Sequence, residues 1–531
     1  MEQSPWDRSE EEVFGRSARG VDFWSDGSST RILSARGEYL YALDAATGAP
    51  IEGFGDGGRV FLRGDDPDAR PFAAAAGLIV VDDVVVIGGI WGGAGDRSPV
   101  RERDPGNLRG FDVQTGDLVW TFHVTPRPGE VGIETWESDA WEYAGDMGSW
   151  CCLSADLELG HVYAPLSAPT GFFGGHRPGD NLFSNSVVAL DAETGDRVWH
   201  YQMIHHGIWE YENMGPPILG DITVDGERIA ALMQPNKNAF LFVLDRRTGD
   251  PVWPIVERPV PPSTVPGELV SPTQPFPTRP APFDRQGMSE DDLIDFTPEM
   301  HSEALAFFEQ HVTGPLYTPP SIVSSEPGGT KGTLSAPGSW GSANWNTGAF
   351  DPETGIYYAV SHTLPGVDGI VPATDPEATF EYVREGSSPI WLPSGLPVTK
   401  PPYGRITAID VNTGEHLWMV PNGDGMNDLP LLAELDLPPL GTAGRPTALV
   451  TATLLFLGEG SDAISGTSGV GMWGTTFRAY DKATGEVVWE TELDSGTTTG
   501  PMTYMYEGKQ YVVVAIGGSE HPPEWVALAL P

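Results

Sequence analysis

Short runs in which apolar and polar residues alternate, such as Tyr39-Leu-Tyr-Ala-Leu43 and Arg405-Ile-Thr-Ala-Ile409, recur along the chain and predict β-strands. Each run enters the same phrase: an apolar residue, Asp, two variable positions, then Thr-Gly. Copies begin at Asp44, Asp112, Asp191, Asp245, Asp351, Asp410 and Asp481. Five of them place a Trp eight residues after the Asp: Trp120, Trp199, Trp253, Trp418 and Trp489. An Asp carboxylate can accept from nearby backbone amides and Gly tolerates φ > 0, so the phrase predicts a tight turn between antiparallel strands. Seven copies of this hairpin turn point to an all-β fold. The spacing suits four-stranded antiparallel blades set around an axis, a β-propeller.

The spacing widens between Asp112 and Asp191 and again between Asp245 and Asp351. The second expansion is Pro-rich from Pro251 to Pro282. It then carries a helix signal, with Thr297 as N-cap, Pro298 at the first position and helix formers over Glu299–Val312. We expect one propeller domain over residues 1–531 with an insertion at about 254–340, long enough to wall a site at the blade ends.

Composition narrows the function classes. The chain has 531 residues, of which 66 are Gly and 49 Pro, too many for a helix-rich architecture. At 40% hydrophobic it can bury a large core, which excludes wholesale disorder. Lys and Arg total 30 against 74 Asp and Glu, a net charge of −44 that repels nucleic acid. Only five residues are lysines, so Lys237 is an unusual charge to find beside a strand. The longest apolar runs, Phe72–Val81 and Ala448–Gly458, are about half of a membrane span. Met1–Gly20 is polar and acidic with no signal sequence, and the acidic balance suits high salt or a compartment outside the cytoplasm.

Candidate chemistry concentrates in Arg177–Asn185, His205–Asn213 and Gln234–Asn238. Glu210 and Glu212 stand two apart, so an extended segment would place both carboxylates on one face, as a base and a metal ligand require. Two solvated glutamates in an acidic chain is the plainer reading. Lys237 would be a fixed positive charge for an anion. Cys151 and Cys152 are adjacent, directly after Trp150, and any bridge between them would close a tight eight-membered ring. Two buried thiols packed beside Trp150 is the alternative.

With those segments, the repeats and the phrases Gly338–Trp345, Gly444-Arg445-Pro446 and Gly500–Tyr504, the sequence from about Arg19 to Pro531 resembles the pyrroloquinoline quinone (PQQ)-dependent alcohol and sugar dehydrogenases. These are eight-bladed quinoprotein propellers, and the likeness is greatest to the membrane-type glucose dehydrogenase branch. The resemblance implies PQQ on the propeller axis, polarised by a calcium or lanthanide ion. Glu210 would act as the general base and Lys237 as the basic residue at the quinone carbonyls. Glu212 would join Glu210 as a metal ligand. Asn344, Trp345, Trp150, Cys151 and Cys152 would contact the cofactor. It further implies oxidation of an alcohol, sugar or polyol, electrons passed to an external cytochrome or quinone, and a periplasmic or extracellular location.

The sequence also departs from the family pattern. Glu replaces Asp at positions 210 and 212. Ala168 stands where a metal-ligating Asn is usual, and no acidic ligand occurs near Trp91–Ala94. Relatives show a further repeat copy upstream of Arg19, so either Met1 is an internal start or the first blade is minimal. No Cys-x-x-Cys-His phrase is present, so a haem would reside on a partner. The second reading is a propeller that has lost the metal and quinone site and serves as a binding or scaffold protein.

Overall fold

The computed structural model describes residues 20–62, 77–89, 100–346, 348–462 and 472–530. Among the described residues, seven antiparallel sheets carry the blade pattern. The first four begin at Asp22, Leu78, Ser154 and Ile218, and the remaining three at Ala349, Leu449 and Met502. The fourth and seventh have three strands, and the other five have four.

Blade faces are apolar on both sides, and each pair of neighbours shares a core. Leu33 and Ala42 of the first blade pack with Val85 and Phe111 of the second. Val84, Val86 and Trp120 pack with Val162 and Val188 of the third. Tyr163 and Trp199 then meet Leu232 and Phe242. Met233 and Val243 meet Tyr357 and Ile409, and Tyr358 and Ile406 meet Leu455 and Tyr480. Phe477 closes against Val512 and Val514. Each such side chain, fully buried, is worth about 1.5–3 kcal/mol, so the sheets hold together face to face.

The repeated turn forms as its residues dictate. The Asp44 carboxylate accepts from the Thr47 amide at 2.8 Å, and Asp112 accepts from Thr115 at 2.7 Å. Asp191 accepts from Thr194 at 2.9 Å. The spaced Trp is explained by the next repeat: the Trp120 indole donates to the Ala192 carbonyl at 2.9 Å and Trp199 to Arg246 at 3.0 Å. Each acceptor directly follows the next repeat's Asp. Gly249 shows why the turn ends in Gly: its φ is +78° and a Cβ there would lie 2.7 Å from the Trp199 ring. Gly249→Ala is therefore expected to lower unfolding free energy by at least about 1–2 kcal/mol in denaturant titration, and an unchanged midpoint would contradict this packing.

One copy sits elsewhere. Asp351 turns the first hairpin of its blade, between Ala349–Asp351 and Ile356–His362, whereas the other six copies follow third strands.

The insertion after the fourth blade builds a two-stranded hairpin, Ile255–Pro259 with Thr273–Pro277, and then the helix Pro298–Phe308. Thr297 caps that helix by accepting from the Met300 amide. The helix stops short of the expected Val312, because Val312 is drawn into a bridge with Thr333. A four-stranded sheet combines Ser321–Ile322 and Thr333–Ser335 with Gly366–Pro372 and Tyr382–Ser387. The last two strands come from a second excursion, inside the fifth blade, that carries no repeat signal.

Candidate functional site

Second strands of successive blades run toward one end, where Pro165–Ser167, Pro235–Lys237, His362–Thr363 and Leu457–Glu459 emerge. The segment His205–Asn213 follows the third blade and lies against two of these ends. Trp209 and Tyr211 anchor it on an aromatic floor with Phe240 and Tyr317. The Trp209 indole donates to the Thr318 carbonyl at 3.0 Å and the Tyr211 hydroxyl to Pro337 at 2.6 Å.

With the rings turned into the core, the glutamates that follow each of them, Glu210 and Glu212, stand on the other side of the segment. The segment is not extended throughout as the spacing suggested: His206 and Glu210 have φ of +48° and +59°. Non-Gly residues in that region carry strain of about 1–3 kcal/mol and persist only where surroundings hold them, commonly at functional sites.

Glu212 is buried and its two oxygens are occupied. Oε1 accepts from the Trp150 indole at 2.9 Å and from the Ser167 hydroxyl. Oε2 accepts from the Lys237 ammonium at 2.5 Å. Lys237 is itself only 5% exposed. The structure thus joins Trp150, Glu212 and Lys237, three of the residues singled out in the sequence. The loop Gly338–Asn346 packs on the same lysine. Its Ser342 amide donates to the Lys237 carbonyl at 2.8 Å, and a Cβ on Gly341 would meet the lysine side chain. Asn344 lies within this loop, bonded to Trp340 and to the Trp345 amide. Cys151 and Cys152, next to Trp150, are joined by a disulfide.

Glu210 is half-buried and within electrostatic reach of Arg177. That guanidinium is fully buried and donates to Asn181 and to the Gly207 carbonyl, both at 2.7 Å. Burial pulls its pKa down to about 10, and Glu268 and Glu210 resist the shift. The Arg445 guanidinium lies 4.3 Å from the Trp340 ring centre. Burial, with Arg445 adding, pushes the His362 imidazole down to about 3, so this ring is neutral.

Around this cluster, buried polar atoms lack protein partners: Asn185 Oδ1, both amide atoms of Asn213, Gln234 Oε1, Asn236 Nδ2 and both ring nitrogens of His362. An unsatisfied buried group costs about 1–3 kcal/mol, so such a concentration marks a place built for a polar ligand. Ser167, His362 and Glu268 were not foreseen as site residues, because none carries a local pattern. The missing acidic ligand near Trp91–Ala94 falls outside the described residues.

The profile described as "PQQ: Glucose/ethanol/alcohol dehydrogenase, beta-propeller domain" matches residues 2–512. Quinoprotein glucose dehydrogenase of Escherichia coli (strain K12) is 30% identical over 525 residues, covering 92% of this chain and 61% of that protein. The glycerol dehydrogenase large subunit of Gluconobacter oxydans (strain 621H) is 32% identical over 521 residues, covering 90% and 66%. This chain thus spans less than two thirds of the length of those relatives. Among solved structures, a europium-containing methanol dehydrogenase superposes with a TM-score of 0.64 at 22% identity, covering 94% of this chain and 73% of that one. The quinohemoprotein alcohol dehydrogenase of Comamonas testosteroni gives 0.63 at 22%, covering 96% and 66%. Repeats, blades and profile agree: the chain belongs to the PQQ-dependent dehydrogenase β-propeller family.

Proposed function

We propose that the protein is a PQQ-dependent dehydrogenase that oxidises an alcohol, sugar or polyol hydroxyl to a carbonyl and passes the electrons to an external acceptor. The observation that carries the reading is the buried Lys237 ammonium, held by Glu212 among unpartnered amides and an imidazole. PQQ is a flat polyanion with carbonyl and carboxylate oxygens, and this donor-rich cluster fits it. Lys237, Asn236, Asn213 and the Gly338–Asn346 loop would hold it, with Trp150 and the Cys151–Cys152 pair at its margin. When bound, PQQ supplies the two-electron acceptor for the substrate carbon.

This chain's residues supply the rest. Glu212 cannot serve as the base while both its oxygens are engaged; its task is to fix Lys237 at one position. Glu210, two residues before it and within electrostatic reach of the Arg177 guanidinium, would accept the substrate hydroxyl proton, the role the family resemblance implies for it. A general base contributes about 100- to 10,000-fold in rate.

A calcium or lanthanide ion is less well provided for. A hard cation takes about six or more oxygens. Among the described residues the carboxylates are Glu210 and Glu212, the latter with oxygens already taken by Trp150, Ser167 and Lys237, and the unpartnered amide oxygens of Asn185, Asn213 and Gln234 lie around the same cluster. Ala168 offers no side-chain oxygen. The described residues bring no three carboxylate, imidazole or thiol donors together at this cluster.

Among the described residues no helix is long and apolar enough to cross a membrane. The excess of acids suits a periplasmic or extracellular setting of high ionic strength. The reading is tested by screening primary alcohols, polyols and aldoses with an artificial electron-accepting dye. Dye reduction is expected only after addition of PQQ, and a screen with no PQQ-dependent turnover would oppose the proposal.

A further inference from the structure

The hairpin of the Pro-rich insertion grips the segment that bears Glu210. Gln274, fully buried on its second strand, holds the backbone of His205 from both sides: its Oε1 accepts from the His205 amide at 2.9 Å and its Nε2 donates to the His205 carbonyl at 2.7 Å. Glu257, on the first strand, lies 3.2 Å from the His205 ring. Glu268, in the loop between the strands, meets His206 Nε2 at 3.0 Å, with only 2% of its side chain exposed. His206 Nδ1 faces the Gly179 carbonyl at 2.8 Å, so both ring nitrogens face oxygen acceptors. Glu268 also accepts from the Gly174 amide at 2.6 Å, tying the loop before Arg177 into the same clamp. The next residue, Gly207, is held through its carbonyl by Arg177.

The gripped residues are those whose backbone needs holding. His206 and Glu210 both occupy the left-handed region; His tolerates it better than most residues, but nothing in a Glu side chain selects it. We infer that Glu268, with Gln274, is a positioning residue for Glu210: the insertion hairpin fixes the strained His205–Glu210 segment so that the carboxylate is presented at the reacting hydroxyl. The inference rests on the reading of Glu210 as the proton acceptor. Glu268 itself touches no reacting atom; it acts through His206. Displacement of a catalytic group by about 1 Å can cost about 100-fold.

The test is Glu268→Ala and Glu268→Gln in the PQQ-loaded protein, each made alone and in a Glu210→Gln background. PQQ affinity and amide hydrogen exchange of residues 203–213 are measured beside the kinetics. We expect Glu268→Ala to lower kcat about 10- to 100-fold, with KM and PQQ affinity within about threefold and exchange across 203–213 accelerated. Glu268→Gln keeps an acceptor for His206 but sets its amide group against the Gly174 N–H, so it should fall between; it also carries the test if the alanine variant folds poorly. In the Glu210→Gln background neither change should lower the residual rate further. Rates within twofold of wild type, or equal losses in both backgrounds, would overturn the inference. A Glu210→Gln protein that keeps its full rate would instead remove the base assignment itself, and the inference with it.

Discussion

Replacing Glu210 by Gln is expected to lower kcat for dye-linked alcohol or sugar oxidation about 100- to 10,000-fold while leaving PQQ affinity within about threefold. The substitution keeps the side chain's size and removes only its ability to take a proton, and that range is the usual contribution of a general base. The neighbouring glutamate cannot compensate: the Glu212 oxygens are held by Lys237, Trp150 and Ser167. Lost quinone affinity together with lost rate would make Glu210 a cofactor ligand rather than a base. An unchanged rate would remove it from the chemistry.

The second large effect concerns the Lys237–Glu212 pair, with side chains 6% and 9% exposed. Lys237→Ala leaves a buried carboxylate with no counter-charge, and breaking such a pair typically costs about 3–5 kcal/mol. With Lys237 donating to the bound quinone as proposed, the same variant would also remove a charge-assisted hydrogen bond worth about 1.5–3 kcal/mol, or roughly 10- to 100-fold in PQQ affinity. The double variant Lys237→Met with Glu212→Leu removes both charges, so most of the lost stability should return while PQQ binding stays weak. Denaturant titration of the single and double variants checks this. A double variant no more stable than Lys237→Ala would show that the pair is not the main source of the loss.

The fold was legible because its signals are local. The Asp-to-Gly turn is set by hydrogen bonds spanning two or three residues, and the Trp eight residues on packs against the next repeat's turn. The same locality explains where it misled. Asp351 makes the same kind of turn, with Thr354 bonded to its carboxylate, on a different hairpin of its blade. Residues Glu309–Val312 read as helix, yet Val312 pairs with Thr333, a contact set by tertiary packing.

The site was legible only in part. Glu210, Glu212 and Lys237 stood out by residue type and by resemblance, but Glu212 and Lys237 lie 25 positions apart, and nothing local says that they pair. The extended conformation expected at Glu210 is not kept, and its segment is held by Arg177 and by Gln274 and Glu268 of the insertion hairpin, two parts of the chain remote from it in sequence. The disulfide between Cys151 and Cys152 had an even competitor in two buried thiols. The unpartnered amides of Asn213 and Asn236 become significant only once burial is known.

The central claim is that this cluster binds PQQ through Lys237. Its most direct test is titration of the purified protein with PQQ, followed by absorbance and calorimetry, alone and with calcium or lanthanum. Saturable one-to-one binding that weakens at least about tenfold in Lys237→Ala is the expected result. Absence of saturable binding under every metal condition would contradict it.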